Sequence, residues 1–162
     1  MRGFTLMELL IVIVLLGILV AIGTGSYASS VRRGRDNRRK NDLRNIATAL
    51  ESYFNDKGVY PTNNSNGEMV GCHAADLGVC AWGGQFSDQN NTLYMVLTPD
   101  DPATIYKYYY VGTDTTYKLY AKMENVHDEG NGVNQDGYAD TNCANEGTTL
   151  CTYGIASLNT TP

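Results

Sequence analysis

The sequence predicts an α+β fold in which one long N-terminal helix, membrane-spanning in its first half, packs on a small antiparallel β-sheet head. An apolar run with one internal charge extends from Phe4 to Ile22. Apolar residues then recur at the three-and-four spacing of an amphipathic helix at Leu43, Ile46, Ala47, Leu50 and Phe54. Residues 105–123, rich in tyrosine and β-branched side chains, alternate as the two strands of a hairpin do.

The N-terminal run is long enough to cross a membrane as a helix. Phe4 to Ile22 comprises 19 residues, and a hydrocarbon core of about 30 Å needs about 20 apolar residues at 1.5 Å rise each. The one charge within it is Glu8. An ionisable group at such a depth costs on the order of 3 kcal/mol unless it is paired, so Glu8 is a candidate functional residue.

The start of the chain carries a specific arrangement: Gly3-Phe4-Thr5-Leu6, then Glu8-Leu9, then the apolar run. It resembles the class III signal of type IV prepilins and pseudopilins, which implies the type IV pilin fold. The resemblance implies that residues 1–3 are a leader, that prepilin peptidase cuts between Gly3 and Phe4, and that the new amino terminus at Phe4 is methylated. It also implies that Glu8 meets the Phe4 amine of a neighbouring subunit and so fixes the subunit register.

The helix is expected to continue beyond the apolar segment. We predict one helix from Thr5 to Asp56, divided into a transmembrane or filament-core part (residues 4–25) and an amphipathic continuation (residues 26–57). Gly58 follows as the expected C-terminal stop, and Pro61 cannot continue a helix. Residues 58–162 form the head.

Charge is divided unequally between these parts. Residues 1–57 carry nine Lys/Arg and five Asp/Glu, and residues 58–162 carry three and twelve, so the net charges are +4 and −9. An acidic head favours cations and argues against a nucleic-acid surface. The basic cluster at residues 32–40 is a solvated face, a contact for anionic headgroups, or a contact for the acidic heads of neighbours. It conflicts with the positive-inside rule, but the leader and the cysteines favour an exported head.

Within the head, residues 63–92 are expected to be irregular and residues 93–97 to add a helical turn. The hairpin at 105–123 and a third strand at 151–157 make the sheet. The face formed by Tyr117, Leu119, Ala121 and Met123 should cover the helix, because alternate residues of a strand point to the same side.

Four cysteines occur as two pairs with the same spacing, Cys72 with Cys80 and Cys143 with Cys151. This favours two local disulfides in an oxidising compartment, although four cysteines allow three connectivities. Zinc is the competing interpretation, and it is weaker because seven-residue spacers exceed the two to four residues usual between structural ligands.

The acidic loop at residues 124–142 is a candidate calcium site. Asp128, Asp136 and Asp140 are interleaved with glycines, and Glu124 and Glu129 are possible additional ligands. The loop does not have EF-hand spacing, but the resemblance to major pseudopilins implies calcium between the last strands. A solvated acidic turn is the alternative.

The leading functional interpretation is a non-enzymatic filament subunit. The resemblance implies copies of the chain, prepilin peptidase, an assembly ATPase and membrane platform proteins as partners, with the chain in the cytoplasmic membrane before assembly and in an extracytoplasmic or cell-surface filament afterwards. A secretion pseudopilus and a pilus for adhesion, motility or DNA uptake both remain open. The alternative is a single-pass, calcium-binding ligand-recognition protein that does not polymerise. No phosphate-binding or nucleophile motif favours an enzyme.

Overall fold

The structure is a computed structural model that describes the backbone of residues 3–72 and 78–162, and their side chains except those of residues 22–26 and 72. Its first element, α1 (Leu6–Lys57), is a helix of 52 residues. Thr5 is the N-cap, and Gly58 follows the helix with φ 75°, a left-handed conformation that glycine adopts without strain. The Gly58 N–H donates to the Phe54 carbonyl at 2.7 Å. These bounds confirm the predicted helix to within one residue at each end.

The N-terminal part of α1 exposes its apolar side chains, with Leu6 82% and Leu19 67% accessible. Among the described residues, no helix is both long and apolar enough to qualify as a membrane span. The transmembrane or filament-core segment at residues 4–25 stays a prediction. The side chains of residues 22–26, which belong to that prediction, lie outside the described part of the chain.

The head contains short antiparallel strands in three sheets. The first sheet joins β1 (Thr62–Asn63), β2 (Met69–Cys72) and β3 (Gly78–Cys80), and the second joins β4 (Phe86–Ser87) and β5 (Leu93–Met95). The third sheet joins β6 (Tyr109–Gly112), β7 (Tyr117–Ala121) and β8 (Tyr153–Ala156), in that order. Tyr109 lies opposite Tyr120, and Ala121 lies opposite Tyr153.

Two predictions for the head were wrong. The stretch expected to be irregular contains the second residue of β1 and all of β2 to β4, and the expected helical turn at residues 93–97 contains β5, which pairs with β4. Such strands of two to four residues are too short to show an alternating pattern, and cross-strand pairing decides their conformation.

The hairpin also starts later than expected, at Tyr109 instead of Ile105. Tyr106 forms an isolated bridge with Ala144, and the Lys107 N–H donates to the Cys143 carbonyl at 2.9 Å. The backbone before β6 is thus bonded to the segment that carries the second cysteine pair, and it cannot pair with β7.

The core lies between the C-terminal half of α1 and the third sheet. Leu43, Ile46 and Leu50 are fully buried on one stripe of the helix, as the spacing predicts. The predicted face of β7 is buried in the same cluster, which contains Tyr117, Leu119, Ala121 and Met123. Burying each of these large apolar side chains stabilises the fold by about 1.5–3 kcal/mol. The helix therefore holds the head along residues 36–54 and leaves residues 4–33 largely free of it.

Candidate functional site

The first candidate site is the start of α1, where Thr5 and Glu8 form a capping box. Glu8 Oε2 accepts hydrogen bonds from the Thr5 backbone N–H at 2.9 Å and from Thr5 Oγ1 at 3.0 Å. The Glu8 N–H donates to Thr5 Oγ1 at 3.3 Å. This arrangement satisfies N–H groups that a helix start leaves without intrahelical acceptors. It also fixes the position of the Glu8 carboxylate.

The surroundings of Glu8 are apolar and unoccupied by the head. Phe4 is 89% exposed, and large apolar side chains from Leu6 to Val20 are exposed around the helix. Gly3 has no atom within 4 Å of the place a Cβ would take. The predicted cleavage and methylation residues, Gly3 and Phe4, thus lie with Glu8 on an exposed helix start.

The second candidate site is an ionic contact between α1 and the head, centred on Arg39. Its charged side chain is 0% exposed, and carboxylates surround it. Arg39 donates to both oxygens of Asp101 at 2.7 Å, through Nε and Nη2. Its Nη1 donates to Asp36 Oδ1 and to Glu124 Oε1, both at 2.8 Å. A buried guanidinium is tolerated because its donors are met by charged acceptors.

Arg35 and Asp36 extend this contact to the segment that follows β7. Arg35 binds both oxygens of Glu124, with Nε to Oε1 at 2.7 Å. The Asp36 carboxylate accepts the backbone N–H groups of Glu124 at 3.0 Å and Asn125 at 2.9 Å. The hydrogen bond from Arg35 lowers the pKa of Glu124 to about 2, and the hydrogen bond from Arg39 acts in the same direction. We call these five residues, Arg35, Asp36, Arg39, Asp101 and Glu124, the stem–head clamp.

A further pair lies next to the clamp. Lys40 Nζ contacts Asp128 Oδ2 at 2.5 Å, and Asp128 Oδ1 accepts the Gly130 N–H at 3.1 Å. The hydrogen bond from Lys40 lowers the pKa of the Asp128 carboxyl. The acidic loop is therefore attached to α1 by cations of the same chain.

Two of the residues predicted to bind calcium have cationic partners within the chain. Glu124 is bound by Arg35 and Arg39, and Asp128 is bound by Lys40. Glu129, Asp136 and Asp140 are exposed. Within the described residues, no three carboxylate, imidazole or thiol groups come together in a way that could hold a metal ion. A calcium ion would have to displace arginine and lysine from two of these carboxylates, and the calcium site stays a prediction.

The second cysteine pair is bonded. Cys143 and Cys151 form a disulfide with their Cα atoms 5.2 Å apart, and both side chains are fully buried beside Tyr120. Cys80 is also disulfide-bonded. The side chain of Cys72, its predicted partner, lies outside the described residues, so that pairing stays a prediction.

The sequence did not predict the clamp. It indicated that the basic cluster faces water, lipid or neighbouring heads, whereas Arg35, Arg39 and Lys40 bind carboxylates of the chain's own head. A signal was present, because Asp36 and Arg39 continue the three-and-four spacing of Leu43, Ile46 and Leu50 towards the N-terminus. Charged residues on that stripe face the head and need partners there.

Comparison with known proteins finds a family match at the helix start and a relative that matches most of the chain. The family described as "Prokaryotic N-terminal methylation motif" matches residues 1–24. The type II secretion system core protein G of Pseudomonas aeruginosa is 30% identical over 120 residues, which cover 74% of this chain and 80% of that protein. No solved structure matches the chain.

Two pilins match over shorter stretches. The fimbrial protein EcpC of Eikenella corrodens is 41% identical over 64 residues, or 40% of this chain. The type IV major pilin protein PilA of Myxococcus xanthus is 39% identical over 59 residues, or 36% of this chain. The matched regions span 42% and 27% of those two proteins.

Proposed function

This chain belongs to the family of type IV pilins and pseudopilins, and on that premise we propose that it is a structural subunit that polymerises into a helical filament. The observation that carries the proposal is the helix start, where one carboxylate stands in an exposed apolar surface. The exposed apolar side chains of α1 would be covered by the same segments of other copies. This proposal assigns the chain an assembly role and no catalytic one.

We propose that cleavage between Gly3 and Phe4 prepares the subunit for assembly. Cleavage would free the amine of Phe4, which becomes methylated, and Glu8 of one subunit would then bind the Phe4 amine of its neighbour. Either charge alone is penalised in apolar surroundings, whereas the pair attracts strongly because the local dielectric is low. A helix shifted along its neighbour would leave both charges unpaired, so the contact would fix the axial register.

Among the filaments of this family, a secretion pseudopilus fits best. The match to core protein G of P. aeruginosa covers three quarters of this chain, whereas the pilin matches cover less than half. The proposal places the subunit in the cytoplasmic membrane with an exported head before assembly, and in an extracytoplasmic filament afterwards. Prepilin peptidase, an assembly ATPase and a membrane platform would then be its partners.

The test is the substitution Glu8→Leu in the full chain, expressed with its assembly machinery. We expect the variant to remain in the membrane fraction and to lose filaments, because no acid receives the neighbour's amine. Glu129→Leu is the matched control, since it removes an exposed head carboxylate and should leave filaments unchanged. Electron microscopy and mass analysis of sheared material give the readout. Filaments of Glu8→Leu at wild-type abundance, or native filaments that begin at Met1, would contradict the proposal.

A further inference from the structure

Three arginines of α1 keep an unmatched charge in the folded chain. Arg35, Arg39 and Lys40 bind carboxylates of the head, and Arg38 contacts Asp42 at 3.5 Å. Arg32, Arg33 and Arg44 are exposed and make no ion pair with any described residue. We call these three residues the stem arginines. They lie on both sides of the clamp along the helix.

The end of the chain carries the opposite charge. Residues 123–162 contain six Asp/Glu and no Lys or Arg. Glu124 and Asp128 are neutralised by α1, and Glu129 lines the same polar cleft as Arg33. Asp136, Asp140 and Glu146 are exposed, and none of them pairs with a cation in the described part of the chain. We call these three residues the head carboxylates.

Local bonding holds the loop that carries the head carboxylates, and none of the three forms an ion pair with α1 in the described part of the chain. The Cys143–Cys151 disulfide closes the loop at its end. The Tyr138 N–H donates to the Cys151 carbonyl at 2.9 Å, and the Gly137 N–H donates to the Asn134 carbonyl at 3.0 Å. Their charge is therefore available to another molecule.

Ion pairs between α1 and the head already form within one chain. Arginine and lysine of α1 bind carboxylates of the segment after β7 at 2.5–2.8 Å. The remaining cations and the remaining carboxylates belong to the same two elements. Since one copy carries both, a stem-to-head contact between copies uses two different surfaces, and such a contact extends into a helical array unless it closes as a ring.

We propose that the stem arginines of one subunit dock against the head carboxylates of a second copy of this chain. This interface rests on the proposed filament and adds to it a contact outside the apolar helix bundle. It selects the neighbour by charge, because opposite charges steer the encounter and like charges oppose a wrong register.

The experiment reverses each side separately and then both together, in the full chain expressed with its assembly machinery. We expect Arg32→Glu/Arg33→Glu to lower the sheared filament yield by about tenfold or more, because like charges then face each other. Asp136→Lys/Asp140→Lys should do the same, and the variant with all four substitutions should recover most of the yield. Asn45→Glu/Ser52→Glu is the control that adds negative charge at exposed positions of α1 that are not three or four residues from a stem arginine, and it should assemble normally.

Three outcomes would overturn the interface. Reversed variants that assemble like the wild type would show that the charges do not meet. The interface would also be overturned if the four-substitution variant gave as low a filament yield as the two double variants while its thermal unfolding in detergent stayed unchanged. Loss of the reversed stem from the membrane fraction, without rescue, would assign the arginines to anionic lipid instead. Failure of the wild type to form filaments, or normal assembly of Glu8→Leu, would instead count against the proposed function.

Wild-type filaments supply a second readout that needs no substitution. The Debye length falls from about 10 Å in 0.1 M salt to about 3 Å in 1 M salt, so exposed ion pairs between subunits weaken. We expect the mean filament length to shorten over this range. Filaments whose length does not change with salt would also overturn the interface.

Discussion

At the scale of single residues, Arg39 shows how a charge is used inside this protein. Arginine is ordinarily a surface residue, but here its side chain has no exposure and binds Asp36, Asp101 and Glu124. Asp101 lies between the second and third sheets, and Glu124 lies three residues after the end of β7. One guanidinium therefore connects α1 to two distant parts of the head.

Replacing Arg39 should destabilise the fold strongly. Arg39→Ala leaves three carboxylates without their shared cation, and breaking a buried pair in this way costs about 3–5 kcal/mol. Arg38→Ala is the matched control, because Arg38 is 60% exposed and contacts Asp42 at 3.5 Å, a pair worth about 0–1 kcal/mol. Urea unfolding of the full chain in detergent measures both. Equal midpoints for the two variants would contradict the role given to the clamp.

The clamp should also make stability depend on pH. The pKa of Glu124 is lowered from 4.5 to about 2 in the folded chain, so the folded state binds its proton less readily than the unfolded state does. The stabilising contribution is therefore complete above pH 4.5 and is lost as the pH falls towards 2.

Glu124→Gln isolates this contribution. The variant should be less stable than the wild type at pH 6, and the difference between them should shrink as the pH falls towards about 2. Unfolding free energies from urea titrations across this range give the readout, with Glu129→Gln as a control at an exposed carboxylate. A difference that is constant with pH would mean that Glu124 does not act through its charge.

At the scale of elements, the sequence predicts regular structure best where a pattern is long. The helix α1 has apolar periodicity over many turns, a capping residue and a terminal glycine, and its ends are predicted within one residue. The strands β1 to β5 have two to four residues each, and pairing between distant segments decides them. The late start of β6 has the same origin, because Tyr106 and Lys107 pair with the segment at residues 143–144.

Substitution by alanine should change stability in opposite directions at Gly34, inside α1, and at Gly58, which follows α1. Gly58→Ala forces a side chain into a left-handed conformation with φ 75° and should cost about 1 kcal/mol. Gly34→Ala lies in the helix interior with no atom within 4 Å of the new Cβ. It should stabilise the chain by about 0.5–1 kcal/mol, because glycine loses more conformational freedom on folding. Thermal unfolding of the two variants gives the readout, and melting temperatures that both rise or both fall relative to the wild type would contradict this account.

At the scale of the whole molecule, the division of charge was visible in the sequence, but its use was only partly predictable. The residues of the helix-start motif lie close together in the sequence, and therefore Gly3, Phe4 and Glu8 could be chosen as site residues without a structure. The clamp joins residues up to 89 positions apart, and only the folded chain brings them together. The same is true of the acidic loop, where Glu124 and Asp128 bind arginine and lysine of α1 from the other end of the chain.

Removal of calcium distinguishes the two interpretations of the acidic loop. If Asp136 and Asp140 hold calcium together with backbone carbonyls, a chelator should lower the melting temperature of the full chain in detergent, and calcium alone should restore it. Magnesium added alongside the chelator controls for ionic strength. No shift of the melting temperature at saturating calcium would favour a solvated acidic turn.

The capping box at the start of α1 has a consequence for how strongly subunits would join. Its hydrogen bonds hold the Glu8 carboxylate at 2.9 Å from the Thr5 nitrogen in the lone chain, and cleavage after Gly3 would leave both residues in place. The acceptor is thus preorganised, so the Glu8 side chain would lose less conformational entropy when an amine binds than a freely rotating side chain would. A subunit would therefore meet a receptor that is already oriented for capture.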